Sequence, residues 1–146
     1  MLSMEMIKSR MEAFLPFPIG DELISDLSYC CSSITFENEN EYLFRKGDSP
    51  KGFYWILEGA VKFEISPIHS FQIGEGSFVG MDNFASFHPH DFNIKTIVEK
   101  VETLFIDRRC YNNIFLKRHD LSSFMLQKHL NQLIEIKNNL SSDAVA

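Results

Sequence analysis

The sequence predicts a mainly β domain with flanking α-helices: a double-stranded β-helix, or jelly roll, with N-terminal helices before it and a long C-terminal helix after it. Six of the seven glycines lie between Gly47 and Gly80 and separate short apolar runs, as tight β-corners require. About eight short strands with frequent turn residues fill the middle of the chain. Apolar residues with helical spacing occupy both ends.

The N-terminal part, residues 1–30, has the pattern of two helices. An apolar stripe with helical spacing runs from Met4 to Leu15, and Pro16 ends it, because proline cannot continue a helix. A second helix is expected from about Asp21 to Tyr29. Its first residue is an aspartate, a side chain that suits the N-cap position.

The central part, residues 31–107, is predicted to form the jelly roll. We expect Phe53–Leu57 and Ala60–Ile65 to form a hairpin across Glu58-Gly59, since glycine between two apolar runs is typical of a tight turn. Phe92–Val98 and Glu102–Asp107 are expected to form the last pair of strands.

Residues 108–140 return to helical spacing, with a short helix at Arg109–Leu116 and a longer one at Leu121–Leu140. Four leucines of the longer helix follow a heptad-like spacing: Leu126, Leu130, Leu133 and Leu140. Two interpretations stay open: a helix folded onto its own roll, or a helix that pairs with a second copy in a homodimer. The tail, residues 141–146, is expected to be unstructured.

Composition limits the classes of function. With 146 residues, 45% of them hydrophobic and 23% charged, the chain is expected to form one globular domain. A net charge of −6 argues against direct binding of nucleic acid. No apolar run is long enough for a signal peptide or a membrane span, so we expect a cytoplasmic protein. Cys30, Cys31 and Cys110 are expected to be reduced thiols, since no disulfide framework or zinc motif is evident.

Three motifs resemble the cyclic-nucleotide-binding domain, the sensor domain of catabolite-activator and FNR-like regulators. Gly47-Asp48 with the run from Phe53 to Val61 looks like the strand-corner signature of the family. Ile73–Gly80 looks like the start of its phosphate-binding cassette, and Thr103–Arg108 is similar to its last strand. The resemblance implies a regulatory ligand-binding domain, here without the helix-turn-helix that follows the long helix in the transcription regulators.

The resemblance also implies an anion pocket, which we assign to Gly80, Met81, Asp82, Asn83 and Lys95. The short helix expected at residues 81–85 would present backbone N–H groups to a phosphate. Met81 stands where the family has a glutamate for the ribose, and Asp82 is one position too late for that role. The family's phosphate-binding arginine is missing between Phe71 and Arg108. The candidate replacements are Lys95, which lacks the bidentate fork of arginine, and, at low pH, His88 and His90.

The resulting prediction is a regulatory domain that senses a small ligand with a degenerate phosphate cassette and signals through its C-terminal helix. The ligand is expected to be cyclic AMP, cyclic GMP or another small anion, without a cofactor. No nucleophile–base arrangement indicates an enzyme, and His88-Pro89-His90-Asp91 is interpreted as a loop, not a metal site. The alternatives are a dimerisation scaffold that binds no ligand, and the sensor part of a Crp/Fnr-like transcription regulator that lacks its DNA-binding domain.

Overall fold

The computed structural model of the chain describes the backbone of residues 2–145 and the side chains of residues 2–138. In this part of the chain, five α-helices lie at Met4–Glu12 (α1), Asp21–Cys30 (α2), Met81–Ser86 (α3), Arg108–Asn113 (α4) and His119–Val145 (α5). Eight strands lie at Ser32–Phe36 (β1), Tyr42–Phe44 (β2), Gly52–Glu58 (β3), Val61–Ser66 (β4), His69–Ile73 (β5), Phe78–Val79 (β6), Asn93–Thr96 (β7) and Val101–Asp107 (β8).

The strands form two four-stranded antiparallel sheets, in the orders β1-β8-β3-β6 and β2-β7-β4-β5. Neighbouring strands in each sheet are mostly far apart in sequence, and the chain passes repeatedly between the sheets. This is the arrangement of a jelly roll. The predicted fold class is therefore confirmed.

Both predicted hairpins are wrong. Strands β3 and β4 lie in different sheets, as do β7 and β8, so each connection is a corner between the sheets. At Gly59 the φ angle is +98°, and a Cβ atom would lie 2.6 Å from the carbonyl oxygen of Lys100. A hairpin turn and a corner between sheets both need such a residue between two apolar runs, so the sequence pattern does not distinguish them.

The helix boundaries differ from the predicted ones at several points. Helix α1 ends at Glu12, before the proline, and Gly20, not Asp21, is the N-cap of α2. The helix expected at Arg109–Leu116 is divided into α4 and a 3-10 turn at Phe115–Lys117. Asp107 starts α4 by accepting a hydrogen bond from the backbone N–H of Cys110 at 2.8 Å, as an N-cap side chain does. Helix α5 continues past Leu140 into the segment expected to be an unstructured tail.

Two hydrophobic clusters form the core, one on each face of the first sheet. Phe53, Trp55 and Leu57 face the helices, whereas Ile56 faces the interior of the roll, since side chains alternate along a strand. Trp55 is fully buried and donates a hydrogen bond from Nε1 to the carbonyl oxygen of Gly76 at 3.2 Å. It is therefore part of the scaffold and cannot stack on a ligand base.

A disulfide joins Cys31, just after α2, to Cys110 in α4, so the expectation of three reduced thiols is wrong. The two residues are 79 positions apart in sequence, with Cα atoms 6.0 Å apart. Strand β1 begins directly after Cys31 and pairs with β8, which leads into α4, so the pairing of Ser32 with Phe105 brings the cysteines together. Such a long-range pairing is not readable from cysteine spacing alone. Cys30 is free.

A charged cluster connects α1 to the edge of the roll. Arg10 Nη2 lies 3.1 Å from Oε1 of Glu102, which is fully buried, and Arg10 Nε lies 3.3 Å from Oε2 of Glu58. The hydrogen bond with Glu102, together with burial, raises the pKa of Glu58. Burial opposes ionisation of Glu102, but hydrogen bonds with Glu58 and Arg10 outweigh it and lower the pKa of Glu102. The cluster therefore holds α1 in place while Glu102 stays ionised.

In the described residues, no helix combines the length and the apolar character needed to cross a membrane.

Candidate functional site

A cavity of about 170 Å³ lies between α3, α5 and the strands β4 and β7. Its walls are mostly apolar and come from the roll and from α5: Phe63, Ile65, Phe78, Phe92, Ile94, Leu133 and Ile136. Its polar lining comes from α3, from the loop before β7 and from α5: Asp82, Asn83, His90, Asp91, His129 and Gln132. An apolar cavity with a few convergent polar groups is the usual form of a small-molecule site.

Gly80 fixes the start of α3 beside this cavity. Its φ angle is +86°, and a Cβ atom would lie 2.4 Å from Cε2 of Phe44 and 3.0 Å from Cε1 of His90. Only glycine meets both requirements without strain. Gly80, Met81, Asp82 and Asn83 all line the cavity, so four of the five sequence-predicted pocket residues lie together.

The fifth predicted residue, Lys95, lies elsewhere. Its neighbour Ile94 lines the cavity, and successive side chains of a strand point to opposite faces. The ammonium group of Lys95 lies 3.0 Å from Oε1 of Glu64 and 5.8 Å from the ring centre of Tyr42. The structure therefore does not bring Lys95 to the other four residues.

Asp82 joins α3 to α5. Its Oδ1 atom forms a short hydrogen-bonded contact with Nε2 of His129, whose side chain is nearly buried while that of Asp82 is 61% exposed. A carboxylate that accepts from an imidazole N–H holds the ring in one orientation. The sequence suggested a ligand role for Asp82, but it did not reveal this partner 47 positions away.

Asn83 organises the loop that closes the cavity on the other side. Its Nδ2 donates to the carbonyl oxygen of Pro89 at 2.9 Å and to Oδ2 of Asp91 at 3.1 Å. The loop also pairs with the first corner: the N–H of Gly47 donates to the carbonyl oxygen of His90 at 2.8 Å. These bonds fix the position of His90 at the cavity wall.

His90 is 2% exposed and stacks on Phe44, with ring centres 3.7 Å apart. Neither ring nitrogen has a hydrogen-bond partner in the described part of the chain. Burial lowers the pKa of His90, although the carboxylates of Asp48 and Asp91 oppose this shift. His90 is therefore held as a neutral imidazole with one free donor and one free acceptor.

The sequence analysis did not identify the side of α5 that faces the cavity. Four residues with heptad-like spacing face the roll: Met125, His129, Gln132 and Ile136. His129 Nδ1 and Gln132 Oε1 are buried and have no partner among the described residues. The stripe was hidden because two of its members are polar and the adjacent leucines have the same spacing. Its period was nevertheless present in the sequence.

The leucines of the predicted dimer helix lie on the outer face of α5. Leu126, Leu130 and Leu133 are 56%, 45% and 40% exposed, and Ile134 is 55% exposed. Leu133 also reaches the edge of the cavity. The side chain of Leu140 lies outside the described residues. These exposures fit a helix folded onto its own roll that leaves an apolar outer stripe.

The loop His88-Pro89-His90-Asp91 does not assemble a metal site: His88 lies 3.6 Å from Asp91, whereas His90 points into the buried stack on Phe44. More generally, no group of three or more His, Cys, Asp or Glu side chains is arranged to hold a metal ion among residues 2–138.

The chain matches the sequence profile of the cyclic nucleotide-binding domain over residues 37–118. No curated protein sequence matches it. PKAR CBD2 with bound Sp-2Cl-cAMPS is similar in structure, with a TM-score of 0.63, 13% identity, and coverage of 92% of this chain and 84% of that chain. A cyclic nucleotide-binding domain from Methylobacillus flagellatus KT gives a TM-score of 0.64 and 16% identity, with coverages of 97% and 82%.

A mutant of the cAMP-binding acyltransferase from Mycobacterium smegmatis is also similar, with a TM-score of 0.57 and 21% identity. The match covers 74% of this chain but 36% of the acyltransferase chain. At these identities the structural matches support the fold, whereas the profile match covers more than half of the chain and identifies the family. The chain therefore belongs to the cyclic nucleotide-binding domain family.

Proposed function

We propose that the chain is a regulatory, non-enzymatic domain that senses a small ligand in this cavity and transmits its binding through α5. The contact between Asp82 and His129 carries the proposal. It joins the long helix to the turn at which the family's ligand cassette begins. A ligand in the cavity would lie against His129 and Gln132, so binding would act on the same surface that holds α5.

We also propose that the phosphate cassette is degenerate, and the charge of the cavity supports this. Its described lining contains no lysine or arginine, and Asp82 and Asp91 contribute carboxylates. A phosphate at this position would meet like charges, and partial exclusion of water strengthens that repulsion. Lys95, the proposed replacement cation, is paired with Glu64.

Titration calorimetry with cyclic AMP and cyclic GMP at physiological salt tests the cassette. Loss of a charge-assisted phosphate contact weakens binding about tenfold to a hundredfold, so we expect no saturable heat below about 100 µM nucleotide. Lys62 lies opposite Lys95 in the strand register, so Lys62→Ala is a matched control for Lys95→Ala. Micromolar binding that Lys95→Ala abolishes and Lys62→Ala preserves would contradict the degenerate cassette.

Hydrogen exchange of the variant Asp82→Ala tests transmission through α5. Removing the charge-assisted contact with His129 should speed amide exchange about tenfold or more at residues 129–138. Residues 119–125 should change little, because Leu121 and Met125 pack in the core. Glu135→Gln, at an exposed position of the same helix, is the control. Unchanged exchange throughout α5 would contradict the transmitting role of this contact.

A second candidate function is an interaction scaffold, favoured by the apolar outer stripe of Leu126, Leu130 and Ile134. The resemblance to Crp/Fnr-like regulators implies that such a stripe pairs with a second copy. We expect the wild type to be a homodimer in light scattering at about 100 µM, and Leu126→Glu with Leu130→Glu to be a monomer. Ser123→Glu, on an exposed position of α5, is the control. A monomeric wild type would contradict this assembly.

A further inference from the structure

We infer that the cavity under α5 accepts a small, planar nitrogen heterocycle that carries no negative charge. The inference rests on the proposed sensing function and names the chemical class of its ligand. It differs from the family's phosphate-bearing ligands in charge and in size.

Buried polar atoms without partners are the first reason. His90, His129 and Gln132 are each more than nine-tenths buried and line the cavity. Both ring nitrogens of His90, Nδ1 of His129 and Oε1 of Gln132 have no hydrogen-bond partner among the described residues. Leaving such groups unpaired destabilises the folded chain. These atoms have almost no accessible surface, so rotation of the three side chains would bring them to an occupant with both donors and acceptors, with a donor for Gln132 Oε1 in particular.

Charge is the second reason. The ionisable groups that face the cavity are two carboxylates, Asp82 and Asp91, and two imidazoles, His90 and His129. Asp82 already accepts from His129, whereas Asp91 accepts from Asn83 and lies 3.6 Å from His88. No lysine or arginine is among the described lining residues. An uncharged or cationic molecule is therefore accepted, and an anion is repelled.

Size and shape are the third reason. A cavity of about 150 Å³ in another protein holds one benzene molecule, and the cavity here measures about 170 Å³. It therefore fits a single ring or a compact fused ring without displacement of α5. The aromatic rings of Phe63, Phe78 and Phe92 lie in its walls, and flat faces of this kind favour a planar occupant.

Nicotinamide and nicotinate form a matched pair of probes for the full chain. Both are single pyridine rings of nearly equal size, but nicotinamide is uncharged with an N–H donor and nicotinate is an anion. In titration calorimetry at neutral pH we expect saturable binding of nicotinamide with Kd of about 1 mM or tighter, and binding of nicotinate at least about tenfold weaker. Adenine is a larger uncharged probe and should also bind.

Two variants locate the binding. His90→Phe keeps the stack on Phe44 and removes both ring nitrogens, and Gln132→Leu removes the unpaired oxygen. Each substitution should weaken the binding of nicotinamide about tenfold. His119→Phe and Gln127→Leu make the same substitutions at exposed positions and should leave binding unchanged. Thermal unfolding of all four variants verifies that they are folded.

The outcomes separate this inference from the proposed function. Nicotinate binding as tightly as nicotinamide, or no binding of nicotinamide and adenine up to about 10 mM, would overturn the inference. Equal binding to wild type, His90→Phe and Gln132→Leu would also overturn it. Micromolar binding of cyclic AMP would overturn it while leaving a sensing role. Binding of nicotinamide without any change in α5 would support it and contradict the proposed transmission.

Discussion

The two halves of α5 rest on different surfaces of the same roll. Residues 119–125 lie on a dry aromatic core, where Leu121 is fully buried and Phe124 stacks against Phe14. Residues 129–136 lie over a cavity, where His129 and Gln132 place unpaired polar atoms beside apolar walls. The first half therefore contributes stability through apolar packing. In the second half the unpaired buried polar atoms lower stability, and an occupant would give them hydrogen-bond partners.

This difference predicts that the two halves of one continuous helix differ in local stability. Stability is not uniform along an element, and segments with few buried apolar contacts open first. Besides its packing on the roll, the second half is held to α3 by the contact between Asp82 and His129. In the function proposed above, a ligand that binds the cavity acts on this half of the helix.

The largest expected effect comes from the anchored half. Leu121→Ala should lower the free energy of unfolding by about 2–4 kcal/mol, because it leaves a cavity in a fully packed core. Leu116→Ala, in the 3-10 turn before the helix with its side chain 62% exposed, should change it by less than about 0.5 kcal/mol. Urea unfolding measures both. Equal losses in the two variants would contradict the anchoring role of residues 119–125.

The next largest effect on stability is expected at Gly80, which starts the helix α3 that contacts the second half of α5. Gly80→Ala should destabilise the protein by roughly 2–3 kcal/mol, since it combines a positive φ angle with a Cβ that overlaps Phe44. At Gly74 the nearest atom to a new Cβ lies 3.7 Å away, so Gly74→Ala is the matched control. Urea unfolding should separate the two; comparable stabilities would show that the corner before α3 tolerates a side chain.

A smaller effect has the opposite sign. Gln132→Leu should raise the free energy of unfolding by about 1 kcal/mol, because a buried unpaired oxygen is replaced by an apolar group of similar size. Gln127→Leu, on the exposed face, should be close to neutral. A loss of stability in Gln132→Leu would mean that the oxygen contributes to the unliganded fold, which would weaken the contrast between the halves.

The smallest effect is a pH dependence from His90. Its folded pKa is lowered by burial from the ordinary 6.5, so below that pH the unfolded chain binds more protons than the folded chain. Above pH 6.5, His90 should therefore not lower the free energy of unfolding. As the pH drops from 6.5 towards the lowered pKa, the free energy of unfolding should fall. Thermal unfolding of His90→Phe should show a smaller loss of stability over this window than the wild type. Identical pH profiles for wild type and His90→Phe would contradict this assignment.

The scaffold could be predicted from the sequence because glycines and alternating apolar residues act locally. Gly59 and Gly80 marked corners that backbone sterics require, and strand alternation placed Trp55 and Ile56 on opposite faces. Pairing could not be predicted in the same way, since a corner at Gly59 and a hairpin use the same residues. The disulfide between Cys31 and Cys110 depends on strand pairing and was missed for the same reason.

The candidate site was predicted in part. The turn from Gly80 to Asn83 was found because it is continuous in sequence. Lys95 was assigned from charge alone, and its strand face directs it to Glu64 instead. Gln132 became a candidate, and His90 a neutral hydrogen-bonding group instead of a cation at low pH, only through burial without hydrogen-bond partners. That is a property of the folded chain that no spacing in the sequence records.

Hydrogen exchange along α5 of the wild-type protein, with and without saturating nicotinamide or cyclic AMP, tests the central claim most directly. The account predicts slower exchange at residues 129–138 with nicotinamide, little change at residues 119–125, and no effect of micromolar cyclic AMP. Exchange in α5 that is indifferent to nicotinamide, or protection by micromolar cyclic AMP, would contradict it.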